Sequence, residues 1–169
     1  MERTFDRPGS AVHDCRIGDG TTVEPFSTLI DCRIGDDCTI WRYVNLYGCD
    51  LGDDCMVGSF VEIQEDVTVG DRCRIQSHAF VCSKVSLGDD VFVSHGATFV
   101  NDRRPPSGDE SEWESTVVGD GAVIGSNATL LPVEIGENAL VGAGAVVTDD
   151  VPDGAVVAGN PAEVIEYRD

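Results

Sequence analysis

The stretch Ile34-Gly35-Asp36-Asp37-Cys38-Thr39-Ile40-Trp41-Arg42-Tyr43-Val44-Asn45-Leu46, followed by Leu51-Gly52-Asp53, decides the fold. Aliphatic residues recur six apart at Ile34, Ile40 and Leu46, and five residues later the opening phrase starts again at Leu51. That phrase, an aliphatic residue followed by glycine and an acid, opens at Ile17, Ile34, Leu51, Val69, Leu87, Val118 and Ile135. Six residues on from each stands Val23, Ile40, Val57, Ile75, Val93, Ile124 or Val141, and six further Leu29, Leu46, Ile63, Val81, Phe99, Leu130 or Val147. None of these twenty-one aligned positions is polar. A short fixed period is the mark of stacked repeats, and a helix would need apolar spacings of three and four instead.

Four residues after each first aliphatic comes a small or compact side chain, Thr21, Cys38, Cys55, Cys73, Val91, Ala122 or Ala139. The second hexad repeats the rule with Ser27, Val44, Val61, Ala79, Ala97, Ala128 and Ala145. Alternate residues of a strand share a face, so each compact residue and the aliphatic two positions later point inward together. Gly, Asn and Asp recur three positions after the aliphatic, where a left-handed backbone costs them least. The pattern predicts an all-β, triangular β-solenoid of about seven to eight coils. Seven coils at the spacing of neighbouring strands make a prism roughly 34 Å long.

The repeat covers residues 12–147, and the whole chain of 169 residues is expected to form a single domain. The third corner varies by one residue between coils and then opens once. Phe99 and Val118 are nineteen residues apart, which leaves a protruding loop at about 101–115, NDRRPPSGDESEWES. Long loops in compact folds tend to carry function.

The net charge is −20, from 31 acids against ten arginines and the single lysine Lys84. Such a surface disfavours nucleic acid as a partner. It resembles the surfaces of proteins from salt-loving microbes, where counter-ions screen self-repulsion. The chain has no long apolar segment and starts MERTFD without signal-peptide character, so no membrane insertion and a cytoplasmic location are expected. The seven cysteines form no CxxC pair. Cys38, Cys55 and Cys73 fall in one inward column and Cys15, Cys32 and Cys49 in another, so they read as small core residues.

Function must come from corners and insertions. His13 belongs to the lead and reads as a solvated residue, whereas His78 and His95 fall on the second corner of adjacent coils, as neighbours. Asn101, Asp102 and Arg103 open the long loop in the coil of His95. One coil thus holds a base, an amide, a carboxylate and a guanidinium. A histidine can take a proton from an attacking amine or hydroxyl, and a carboxylate can orient it or the substrate. Corner histidines are also ordinary turn residues.

The hexads together with Val141-Gly142-Ala143-Gly144-Ala145-Val146-Val147-Thr148, Asp150-Val151-Pro152 and Gly159-Asn160-Pro161-Ala162 resemble the left-handed β-helix, hexapeptide-repeat acyltransferases over residues 12–165. The segments VFVSHGATFVNDRRP (91–105) and IQSHAF (75–80) look most like the nucleotide-sugar N-acetyltransferases of that family. The resemblance implies a left-handed parallel β-helix assembled as a homotrimer, with acetyl-CoA as co-substrate in the crevice between prisms and no metal. It implies His95 as catalytic base, with His78 in reserve, Asn101 and Asp102 sharing the catalytic role, and Arg103 and Gly96 at the substrate. The acyl-CoA motif falls at 141–165, and coenzyme contacts are implied at Gly125, Ser126, Ala143, Gly144, Thr148 and Pro161. Members commonly carry basic residues where this chain has Asp149 and Glu163, which leaves Arg168 or a neighbouring subunit's arginine to meet the cofactor's phosphates. The implied activity is transfer of an acetyl or other short acyl group to a sugar amine. A sugar hydroxyl acceptor, a non-catalytic scaffold and a γ-class carbonic anhydrase-like protein are the alternatives.

Overall fold

The computed structural model of the chain describes residues 9–168; residues 1–8 and 169 lie outside them. Short parallel strands build three faces. Among the described residues face I holds eight strands, from Ala11–His13 to Val146–Val147, and face II seven, from Arg16–Ile17 to Glu134–Ile135. Face III holds nine among the described residues, running from Thr22–Val23 to Leu140–Val141 and ending with Ala155–Gly159 and Ala162–Tyr167. Like pairs with like throughout: Ile17 with Ile34, Val23 with Ile40, Leu29 with Leu46. The chain therefore forms the expected left-handed parallel β-helix, of about eight coils.

Twenty of the twenty-one aligned aliphatic and aromatic positions are buried, and Ile17 in the first coil packs against them half-buried. Each such side chain contributes about 1.5–3 kcal/mol when fully removed from water, so a polar residue in any column would be costly. The buried hydroxyls and thiols find carbonyls in the next coil. Thr21, Cys38, Cys55 and Cys73 donate to the carbonyls of Gly35, Gly52, Gly70 and Gly88 at 2.7, 3.2, 3.1 and 3.0 Å. All seven cysteines are free thiols, and six are buried. Burial pushes the Cys82 thiol up to about 12.

The glycine-acid pair has a specific cause at the corner between faces II and III. Asp36, Asp53, Asp71, Asp89 and Asp120 each accept, through Oδ1, the backbone N–H of the matching acid one coil earlier, at 2.6 to 2.9 Å. Each carboxylate lies where a Cβ on the preceding coil's glycine would stand. At Gly52 that position is held by Asp71 Oδ1, with the Gly70 carbonyl carbon only 2.9 Å away. Glycine is needed here for space, not for its backbone freedom. One step later along this corner every residue from Gly20 to Gly154 is left-handed, φ 54 to 73°. Most of them are the expected Gly, Asn and Asp, with Arg72 as the exception, and its guanidinium pairs with Asp89 and Asp90 at 3.2 and 2.9 Å.

The corner between faces III and I departs from the sequence expectation. Its left-handed residues are Phe26, Tyr43, Phe60 and His78 before Gly96, Asn127 and Gly144 take over. The four rings stack on one another, with centroids 5.5, 5.1 and 4.9 Å apart. The segment beyond residue 147 extends the solenoid. Val151 bridges to Ile135, Ala155–Gly159 adds to face III, and Ala162–Tyr167 turns back antiparallel over it.

Gly52→Ala is expected to lower the unfolding free energy by about 1–3 kcal/mol through overpacking against Asp71. Ser115→Ala, at an exposed loop position, should stay within about 0.5 kcal/mol of the parent. Chemical denaturation of the two variants side by side measures the difference, and equal stabilities would refute the steric role of Gly52.

Candidate functional site

The corner between faces III and I carries both histidines. His95 is exposed as the second residue of its turn, and its carbonyl accepts the Asn127 N–H at 2.9 Å. His78 is the third residue of its own turn, left-handed at φ 67° and stacked on Phe60. They share a corner in adjacent coils, one position out of register. Ser77 aligns with His95, and the Gly96 N–H donates to the Ser77 carbonyl at 3.2 Å.

Asn101, Asp102 and Arg103 leave the opposite end of face I. The segment between them and His95, Ala97 to Val100, spans roughly 10 Å at 3.3 Å per residue. The four groups share a coil but not a corner, because a triangular coil sends consecutive turns to different edges. Each loop residue is already engaged. Asn101 donates from Nδ2 to Ser83 Oγ at 2.9 Å, and its carbonyl accepts the Glu114 N–H at 2.8 Å, which closes the loop base. Asp102 accepts the N–H groups of Arg104 and Ser107, both at 2.8 Å, one on each oxygen. Arg103 reaches the carbonyls of Pro132 and, at 3.4 Å, Thr148, and lies 3.5 Å from Glu114 Oε1.

The sequence reading missed two tethers. Lys84, the sole lysine, donates to the carbonyls of Glu110 and Trp113, both at 2.9 Å, and so holds the 3₁₀ turn Glu110–Glu112. Ser83 is buried beneath Asn101. Both lie 18 to 29 residues from their partners, a separation that no local pattern announces. The Arg104 side chain is exposed and makes no hydrogen bond or ion pair among the described residues.

Of the six residues implied for the coenzyme, Gly125, Ser126, Ala143 and Gly144 form the last two turns of the histidine corner. Pro161 lies in the turn of the terminal hairpin at the same end of face III. Thr148 is at the far edge of face I, its hydroxyl donating to Asp149 at 2.7 Å. The amides of Ser126 and Ala143 have no acceptor among the described residues, whereas most amides at the equivalent place on the acidic corner, those of Asp36 and Asp53 among them, are taken by carboxylates. Nothing lies within 4 Å of a Cβ built on Gly144. Arg168 is not available to this edge. It donates to the Asn138 carbonyl at 3.1 Å on the acidic corner, and the suggestion that it replaces the missing basic residues within one chain is corrected accordingly. Three concavities of the isolated chain lie along face II, one lined by Asp14, Arg16, Asp31, Arg33 and Asp50, and none of the three includes a histidine. His95 stands on a convex edge.

The N–H of Ser107 holds the Asp102 carboxyl below the usual carboxylate range, with help from Arg104, and Ser111 does the same for Asp109. A depressed folded value stabilises the loop at pH above the unfolded value of about 3.9, and that stabilisation disappears as pH falls through the lower folded value. With Trp41→Phe to isolate it, Trp113 emission is expected to hold steady from neutral pH to about 4.5 and to shift red only in more acid solution. A red shift already near pH 6 would rule out the two carboxylates as the loop's fasteners.

Two family models match the chain, the bacterial transferase hexapeptide (six repeats) over residues 48–83 and the hexapeptide repeat of succinyl-transferase over residues 115–149. Among curated proteins, the 2,3,4,5-tetrahydropyridine-2,6-dicarboxylate N-acetyltransferase of Staphylococcus aureus (strain MRSA252) is 44% identical over 82 residues, 48% of this chain and 32% of that protein. The chain thus spans about a third of the length of the curated relatives it matches. Among solved structures, the UDP-N-acetylglucosamine acyltransferase from Campylobacter jejuni aligns with TM-score 0.79 at 16% identity, over 95% of this chain and 74% of that one. A galactoside acetyltransferase in complex with coenzyme A aligns with TM-score 0.63 at 25% identity, over 69% of this chain and 64% of that one.

Proposed function

We propose, from the two hexapeptide-repeat models that match the chain, that it is a hexapeptide-repeat acyltransferase and that it transfers an acetyl or other short acyl group from coenzyme A to the amine of a nucleotide-linked sugar. The observation that carries the proposal is the run of small, amide-presenting turns at Gly125–Ser126 and Ala143–Gly144 on the edge that also exposes His95. Free amides beside residues with little or no side chain let a thin pantetheine arm approach the backbone closely. They also offer hydrogen bonds to a carbonyl oxygen on which charge develops.

In this mechanism the acceptor amine attacks the thioester carbonyl, a backbone N–H receives the oxyanion, and His95 takes the proton. The thiol of coenzyme A leaves. Asn101 and Asp102 act by fixing the loop, since their side chains are engaged within it, and Arg104, which has no side-chain partner among the described residues, is available for acceptor phosphates. No metal takes part in the proposed steps. Because His95 lies on a convex edge and the loop leaves the far end of face I, a second prism is needed to enclose the substrates. A homotrimer, with each loop reaching toward its neighbour's histidine corner, meets that need. The protein is proposed to work in the cytoplasm; among the described residues no helix is long and apolar enough to cross a membrane.

The likeness to a tetrahydropyridine-dicarboxylate N-acetyltransferase favours a second reading of the acceptor, a small dicarboxylate amine. Thiol release from acetyl-CoA, assayed in concentrated potassium chloride with nucleotide-linked amino sugars and amino dicarboxylates as acceptors, separates the two. The expected result is turnover with a nucleotide-linked amino sugar and a kcat about 10² to 10³ lower in His95→Ala. No thiol release with any acceptor would favour a scaffold, and an unchanged kcat in His95→Ala would remove the base assignment.

The charge of −20 gives a further prediction for the same protein. Coenzyme A carries several negative charges and meets Asp149 and Glu163 in place of basic residues, so its affinity should rise as salt is added from low ionic strength. An affinity that falls monotonically with salt would mean that arginines dominate the site.

A further inference from the structure

The aromatic ladder is one ring short at the place where it reaches His95. Phe26, Tyr43, Phe60 and His78 stack with interplanar angles of 11°. All four hold left-handed backbones, a conformation that is disfavoured for a side chain with a Cβ and that Gly96, Asn127 and Gly144 fill more readily in later coils. Nor does burial explain the rings, since Phe26, Tyr43 and Phe60 remain 49, 45 and 53% exposed. Strained residues kept at an exposed edge point to a function.

Side chains on this edge lean toward the preceding coil. The Phe26 ring comes within 2.5 Å of where a Cβ on Gly9 would be, and Asn127 Oδ1 occupies the place of a Cβ on Gly96. Between the His78 ring and the Asn127 carboxamide, the one rung with no side chain is that of Gly96. Two coil spacings make this gap roughly 9–10 Å, room for one planar ring at the ladder's own separation. Phe60 covers one face of His78, and the other face looks into the gap. The floor is Gly96 backbone, and the next residue toward the N-terminus is the exposed His95.

We propose that this gap is a stacking subsite for the planar base of a nucleotide, with His78 as its platform and the Asn127 carboxamide at its lower rim. Stacking is tolerant of base identity because every base has a π-face, and an amide supplies both a donor and an acceptor for the ring edge. The base belongs either to the nucleotide of the acceptor or to the adenine of coenzyme A, so the inference rests on the function proposed above. His78 is then a binding residue and not a proton carrier. Phenylalanine, already used twice in this ladder at Phe26 and Phe60, should replace it without loss of stacking.

Titration calorimetry in concentrated potassium chloride tests this on the whole chain and on His78→Ala and His78→Phe. The probes are uridine, thymidine and guanosine diphosphates beside inorganic pyrophosphate, and coenzyme A beside pantetheine. The expected result is that at least one base-containing probe binds the parent and weakens about ten-fold or more in His78→Ala. Its affinity returns in His78→Phe, while the ring-free counterparts are unaffected. Loss confined to nucleoside diphosphates assigns the slot to the acceptor's base, and loss confined to coenzyme A assigns it to adenine. The proposal is overturned if no base-containing probe binds the parent, if His78→Ala binds as the parent does, if ring-free probes weaken equally, or if His78→Phe is as defective as His78→Ala. Binding is read without turnover, so ring-dependent binding in a chain that never transfers an acyl group would overturn the proposed chemistry and leave the subsite standing.

Discussion

Five successive coil junctions, from Asp19–Asp36 to Asp89–Asp120, are fastened by an aspartate carboxylate that accepts a backbone N–H one rung away, at 2.6 to 2.9 Å. Much else follows from that contact. The carboxylate takes the volume above the neighbouring residue, so that residue must be glycine, and the pair locks register because a slip of one position would drive a Cβ into an oxygen. The same device stacks like charges about one strand spacing apart along an edge, and repulsion between them grows as salt is removed. A charge of −20 on this chain is therefore partly a by-product of how its coils are joined.

The parts of the fold that were legible are those where geometry leaves no chemical choice. A narrow triangular interior admits only apolar residues, so three columns of them show the three faces directly, and corners show where insertions fit. The ladder of Phe26, Tyr43 and Phe60 was illegible because it breaks two rules at once, placing bulky residues at left-handed positions and leaving large apolar rings in water. At the site, the prominence of His95 could be read, but its grouping with Asn101–Arg103 could not. Six residues suggest proximity in most chains, whereas here one straight face intervenes. The partners of those loop residues, Ser83, Pro132 and Thr148, come from other coils and leave no local trace.

These contacts change how the long loop is understood. A lid needs few internal fasteners, yet this loop is pinned at its base by Asn101, inside by Asp102, beneath by Lys84 and across to the last coil by Arg103. It is a fixed arm. The adaptable surface is the opposite edge of face I, where Ser126 and Ala143 hold unspent amides and Gly144 has open space above it. A rigid arm on one edge and a receptive backbone on the other suit a partner prism that brings the two together.

The terminal hairpin bears on a different hazard. A stack of in-register parallel strands ends in a row of unpaired backbone groups, which is a template for another chain to add its own coil. Here face III ends with Ala162–Tyr167 running antiparallel to Ala155–Gly159, with a register shift between Val156 and Val157. An incoming coil would therefore meet a reversed strand bearing exposed Glu163 and Glu166 in place of a continuation of its own direction. Reversal, irregular register and charge together act as a stop on this edge of face III, so that a strand built for in-register repetition does not offer itself as the seed of a fibre.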